Sequence, residues 1–191
     1  MESEGLNIDL VPATPTRLID PVNGTVLLRL VPFYLERLHG PSGLVDDRTA
    51  IDLGLPFPFL RGAPPIDVTL RPGMTPETLR RLGGGYERNS SLGTLSWGRW
   101  TSYALTPFGW VHFPTPFFQG DRLSALDLQL HGATPTENFE AMSEWLLREL
   151  GAPQESVESQ RQTWERAWGS AILFFEPRDG YAQLRIEWSS Q

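Results

Sequence analysis

Residues 70–130 read LRPGMTPETLRRLGGGYERNSSLGTLSWGRWTSYALTPFGWVHFPTPFFQGDRLSALDLQL. The stretch holds a short capped helix followed by antiparallel strands, and the rest of the chain is organised around that plan. Thr75 is an N-cap, Pro76 takes the first helical position, where its missing N–H is no loss, and Glu77 sets a carboxylate in the first turn. Leu79 and Leu82 face the core, and Gly83 to Gly85 end the helix. Three glycines can also be read as a phosphate cradle, but an anion site needs them before a helix N-terminus, and these follow a helix.

Beyond the glycines, apolar runs at 92–105, 108–113 and 123–130 are broken by Thr106-Pro107, Pro114-Thr115-Pro116 and Gln119-Gly120-Asp121, which predicts a strand meander. Leu126, Leu128 and Leu130 alternate with Asp127, Gln129 and His131, as in a half-buried strand. The cluster Trp97, Trp100, Trp110, Phe113, Phe117 and Phe118 has two readings, a ligand platform or a packed core. Strands prefer aromatics and a thin core needs bulk, so packing is the expectation.

Outward from that stretch, residues 133–191 restate it. Thr134-Pro135-Thr136-Glu137 is a capping box, and Phe139, Met142, Leu146 and Leu150 form an apolar helix stripe ended by Gly151 and Pro153. Ala171 to Phe175 and Tyr181 to Trp188 flank Pro177-Arg178-Asp179-Gly180, a hairpin in which Ala182, Leu184, Ile186 and Trp188 share one face. Each helix is followed by a tryptophan-glycine step, Trp97-Gly98 or Trp168-Gly169, then by strands. The expected fold is α+β, an antiparallel sheet with two helices in two tandem helix-then-meander units, 70–132 and 133–191, forming one globular domain. Residues 1–69 pack on it through a hairpin, Arg17 to Asp20 and Thr25 to Val31 around Asn23-Gly24. Within them, a short helix or strand end covers 33–38, a loop 40–47, and a proline- and aromatic-rich segment 51–66 plugs the core with Phe57, Phe59 and Leu60 or serves as a polyproline-type recognition segment.

A resemblance attaches to particular residues. Arg71-Pro72-Gly73-Met74-Thr75-Pro76-Glu77, with Trp97 and the strand around Phe118-Gln119-Gly120-Asp121-Arg122-Leu123, resembles the SmpA/BamE outer-membrane assembly lipoproteins and the secreted β-lactamase inhibitor proteins. The resemblance implies helices packed on an antiparallel sheet, duplicated in tandem in the inhibitors. The chain departs from both families in lacking cysteine for lipid attachment or disulfides, which argues against an envelope role. Residues 145–153, WLLRELGAP, with the tryptophan-glycine step behind them, also resemble small bacterial families that include immunity proteins, which neutralise toxins. No functional residue is carried over from any of them.

Composition narrows the chemistry. With 191 residues and 40% hydrophobic content, the chain can bury a core without staples. The absence of cysteine removes thiol nucleophiles and thiolate zinc sites. The acidic, polar start has no signal-peptide pattern and no apolar run reaches a membrane span of about 20 residues, so a cytoplasmic location is expected. All 16 basic residues are arginine, and the net charge of −7 divides into −1 before Gly120 and −6 after it. Such a balance repels phosphates, which disfavours nucleic acid as a partner.

Catalytic signatures are missing. His39, His112 and His131 are isolated, without HxH or HExxH spacing, and Ser90-Ser91 has no nucleophile elbow. Glu140 and Glu144 lie one helical turn apart, as an acid–base pair would, but Glu144 also stands four residues before Arg148, the spacing of a surface ion pair. No cofactor or metal is expected. Residues 137–165 carry seven glutamates against Arg148 and Arg161. The expected function is non-catalytic protein binding, immunity- or inhibitor-like, with Glu140, Glu144, Glu155, Glu158 and an exposed Trp164 meeting a basic partner. The alternative is a small-molecule-binding or hydrolytic enzyme with a cleft between the two halves.

Overall fold

Local sequence closes both helices in the same way. A computed structural model describes residues 14–31, 65–83, 86–100, 103–131, 134–157, 160–176 and 181–189. In it, Thr75 caps α1 (Pro76–Leu82), its hydroxyl accepting from the Thr78 N–H at 3.2 Å, and Gly83 ends it at φ 86°. Thr134 and Glu137 form both arms of the capping box on α2 (Pro135–Leu150). The Thr134 hydroxyl and then its N–H, both donating to the Glu137 carboxylate, hold it below its usual pKa. Gly151 ends α2 at φ 74°, a conformation that a side chain disfavours. Phe139, Met142, Leu146 and Leu150 are all buried, as the stripe predicts, and Trp145 joins them.

The strands are β1 (Val26–Val31), β2 (Ile66–Leu70), β3 (Tyr86–Leu92), β4 (Leu95–Trp100), β5 (Tyr103–Thr106), β6 (Gly109–Gln119), β7 (Arg122–His131), β8 (Glu155–Val157), β9 (Arg161–Arg166), β10 (Gly169–Glu176) and β11 (Tyr181–Trp188). All pair antiparallel in one sheet, so the fold is α+β as expected. The main path runs β2-β1-β5-β6-β7-β11-β10-β9-β8, and the sheet forks at β6. Its first residues pair with β5 and its last three with β4, which in turn pairs with β3. Register shifts along β6, between His112 and Thr115 and again between Phe117 and Phe118, give the strand the bend that a fork needs.

At the centre, β7 and β11 pair from Gln129↔Gln183 to Ala125↔Glu187. Moving outward from that seam, one side reads β7-β6-β4-β3 and the other β11-β10-β9-β8. A half-turn about an axis through the seam therefore carries one strand order onto the other, with a helix preceding each set. The N-terminal strands extend the β5 branch and do not intrude between the units.

Register also fixes the faces. Pairing puts Leu28, Leu30, Val68, Ala104, Val111, Leu126, Leu128, Leu184, Ile186, Ala171, Leu173 and Trp164 on one side of the sheet. All are buried there in one cluster with Leu79 of α1 and the stripe of α2, so both helices cover the same face. This cluster is the main source of stability, because each fully buried aliphatic or aromatic side chain contributes roughly 1.5–3 kcal/mol.

Several expectations need correction. The N-terminal hairpin turn forms, with Asp20 Oδ1 accepting from the Val22 and Asn23 N–H groups, but its first arm is a single bridge, Ile19↔Val26. The remainder of β1 pairs with β2 and β5. Beyond the expected strands, the polar runs 86–91 and 155–157 also form strands, because they sit at sheet edges where a solvated face is no cost. The two tryptophan-glycine steps are not equivalent. Trp97-Gly98 lies within β4, where the Tyr86 ring covers the glycine, whereas Trp168-Gly169 closes the β9–β10 turn, where φ is 142° and the Glu187 carbonyl leaves no room for a Cβ. The expectations for residues 33–38, 40–47, 51–64 and 177–180 lie outside the described residues.

Candidate functional site

The tryptophans that do correspond are Trp100 and Trp164. Trp100 Nε1–H donates to the Gly83 carbonyl at 3.1 Å, and Trp164 Nε1–H donates to the Gly151 carbonyl at 2.8 Å. Each lies on the second strand of its unit and satisfies a carbonyl at the end of its own helix, where acceptors lack partners. Arg166 adds a donor to the Leu150 carbonyl.

This bond overturns one expectation. Trp164 is fully buried, not exposed, and cannot touch a partner. The polar residues around it, Gln162-Thr163 and Glu165-Arg166, suggest a solvated segment, but strand alternation turns its ring into the core. Trp100 is likewise core, Trp97 is half-buried on the opposite face, and the Trp110 side chain lies outside the description.

The acidic segment is divided. Glu140 and Glu144 are exposed on α2 and line a groove of about 340 Å³ between that helix and strands β9 and β10. Thr136, Phe139, Ser143, Gln162 and Phe175 complete its walls. The Ser143 hydroxyl donates to Gln162 Oε1 at 2.7 Å, tying helix to sheet across the floor. Phe139 and Phe175 supply apolar surface beside the two carboxylates. A groove so built suits a side chain with an apolar stem and a cationic head, such as arginine or lysine. The Glu144–Arg148 pair that the spacing allows is not among the ion pairs of the described residues. Glu155 is exposed on the edge strand β8, and Glu158 lies outside the described residues.

A second charged arrangement, which sequence alone does not reveal, lies on the other face at the seam. Arg185 of β11 donates to both oxygens of Asp127 on β7, at 2.7 and 3.2 Å. Glu187 stands 3.8 Å from the same guanidinium, which also lies 4.8 Å over the Phe117 ring centroid. Burial pushes the Asp127 carboxyl up to about 6, against the opposing pull of Arg185. Both residues are visible in sequence as polar alternates of their strands, but only the register brings them opposite one another.

Among the described residues, no three histidine or carboxylate side chains come together to hold a metal ion, and no helix is long and apolar enough to cross a membrane. Compared with known proteins, the chain matches no family model, no curated protein and no solved structure.

Proposed function

We propose that this protein is a non-catalytic binder of a basic protein, acting as an immunity or inhibitor protein acts on a toxin or enzyme. The observation that carries the reading is the α2 groove, where Glu140 and Glu144 stand beside apolar walls with no basic residue among the described residues that line it. Complementary charge raises association rates and disfavours wrong partners, which is what fast neutralisation requires. The duplicated helix-and-sheet plan is the one that the resemblance to the inhibitor proteins implies. The enzyme alternative calls for a cleft between the halves, but the described halves meet along the continuous β7–β11 ladder.

The test begins with the product of the gene adjacent to this one, since immunity proteins are encoded beside their toxins. Glu140→Arg/Glu144→Arg is expected to slow its association by about tenfold or more at low salt, with a smaller effect at high salt. Glu155→Arg is expected to add a lesser effect. Binding with an association rate indifferent to all three changes would remove the acidic surface from the reading.

A further inference from the structure

A row of side chains on the face opposite the helices has no role in the α2 groove. Leu92 and Leu95 pair across the β3–β4 turn, 74% and 36% exposed. Their hairpin tip is braced, since Gln119 Nε2 donates to Thr94 Oγ1 and the Gly120 N–H donates to the Thr94 carbonyl, both at 2.6 Å. Trp97, two residues on from Leu95, shares its face and lies 6.4 Å from the Phe117 ring of the paired strand. Arg185 then covers Phe117. The row thus runs from the hairpin tip to the seam.

Scattered exposed leucines are ordinary, but here apolar and aromatic side chains occupy neighbouring positions on one face of adjoining strands. Of these, tryptophan and arginine are the residue types enriched in binding hot spots, and the leucine pair and phenylalanine extend the apolar surface around them. Charge indicates what fits. At the seam end, among the described residues, Asp127 and Glu187 share the guanidinium of Arg185, which leaves one negative charge in excess there, while Arg99 stands on the same strand face beyond Trp97. Glu187, at 3.8 Å, is the weaker-held carboxylate and is half exposed, so it remains open to a second cation.

We propose that Leu92, Leu95, Trp97 and Phe117 form a second docking surface, for a protein segment whose apolar side chains meet this row and whose basic side chain reaches Glu187. The inference rests on the reading of the protein as a protein binder but not on the α2 groove, which lies on the other side of the sheet.

The full chain is titrated with a short peptide alternating leucine and arginine, and with a control alternating leucine and glutamate, while backbone amide shifts are followed by NMR. The leucine–arginine peptide is expected to shift residues of the β3–β4 tip, Trp97, Phe117 and Glu187. Leu92→Ser/Leu95→Ser is expected to weaken it about tenfold and Glu187→Gln about threefold. Thermal melting of both variants should stay close to that of the parent, since the substituted side chains are at least partly exposed. Equal binding of the two peptides, no binding, or shifts confined to the α2 groove would each overturn the proposal. So would a homodimer in sedimentation that Leu92→Ser/Leu95→Ser disperses, because a second copy would then be the occupant. Glu140→Arg/Glu144→Arg separates the two readings. If it alone abolishes peptide binding, the sheet-face surface fails and the groove stands. If only Leu92→Ser/Leu95→Ser abolishes it, the sheet-face surface stands whatever the groove does.

Discussion

The helix of the first unit has seven residues and that of the second sixteen, yet each ends at a glycine whose carbonyl is held by a tryptophan from the second strand of its own unit. The difference lies in what the helices bury. From α1 only Pro76 and Leu79 are buried, whereas α2 contributes Phe139, Met142, Trp145, Leu146 and Leu150 among its buried residues. The shared lock and the unequal helices separate two jobs: the glycine–tryptophan bond sets where a helix ends on the sheet, and its length sets how much core and how much outer surface it provides. Only the longer helix has turns enough to wall a groove, with Glu140 and Glu144 on its far rim.

Four measurements test that contrast, the largest expected effect first. Leu146→Ala is expected to lower the unfolding free energy by about 2 to 5 kcal/mol in urea melts, through lost burial and the cavity left in the α2 stripe. A loss under about 1 kcal/mol would mean that α2 does not carry the core assigned to it.

The seam joining the units is probed by pH. The Asp127 carboxyl is raised to about 6 in the folded protein, above its ordinary 3.8, so between those values the folded chain holds a proton that the unfolded chain has released. Its contribution is therefore greatest below the unfolded value and is lost as pH rises through about 6. Measured against Asp127→Asn, which cannot titrate, the parent should lose on the order of 2 to 3 kcal/mol between pH 4 and pH 7. A flat difference would show that the pull of Arg185 cancels the effect of burial and leaves the carboxyl at its ordinary value.

Trp100→Phe and Trp164→Phe keep a large ring but remove the N–H, and each is expected to cost about 1 to 2 kcal/mol through the unsatisfied glycine carbonyl. Similar losses in denaturant melts would establish the lock as common to both units, and an effect in one alone would break the correspondence. The smallest contrast is between the caps. Thr134→Ala removes a capping box and Thr75→Ala a single cap, so both should cost about 1 kcal/mol, with the larger loss at Thr134.

Much of this plan is visible in the residues because it depends on local rules. Thr75-Pro76 and Thr134-Pro135 mark helix starts, Gly83 and Gly151 mark ends, and the alternation in β7 and β11 identifies their inward faces. What is not visible depends on partners distant in the chain. The Asp127–Arg185 pair spans 58 residues and arises only when β7 and β11 adopt their register. The tryptophan locks have spacings of 17 and 13 residues, so no fixed repeat exposes them, and the tryptophan-glycine steps offer a false match. Of the candidate site, Glu140 and Glu144 are legible as exposed acids on one helix face. Gln162 and Phe175, which make them a groove, come from strands whose distance from α2 no local pattern encodes.

The turn at Pro21 to Gly24 is clasped by residues from far along the chain. Trp168 Nε1–H donates to the Pro21 carbonyl across 147 residues, Trp188 Nε1–H donates to the Gly24 carbonyl across 164, and the Trp168 ring lies where a Gly24 Cβ would be. During synthesis, therefore, the clasp on the N-terminal turn can close only after Trp188 has left the ribosome, which makes it a late, non-local step of folding.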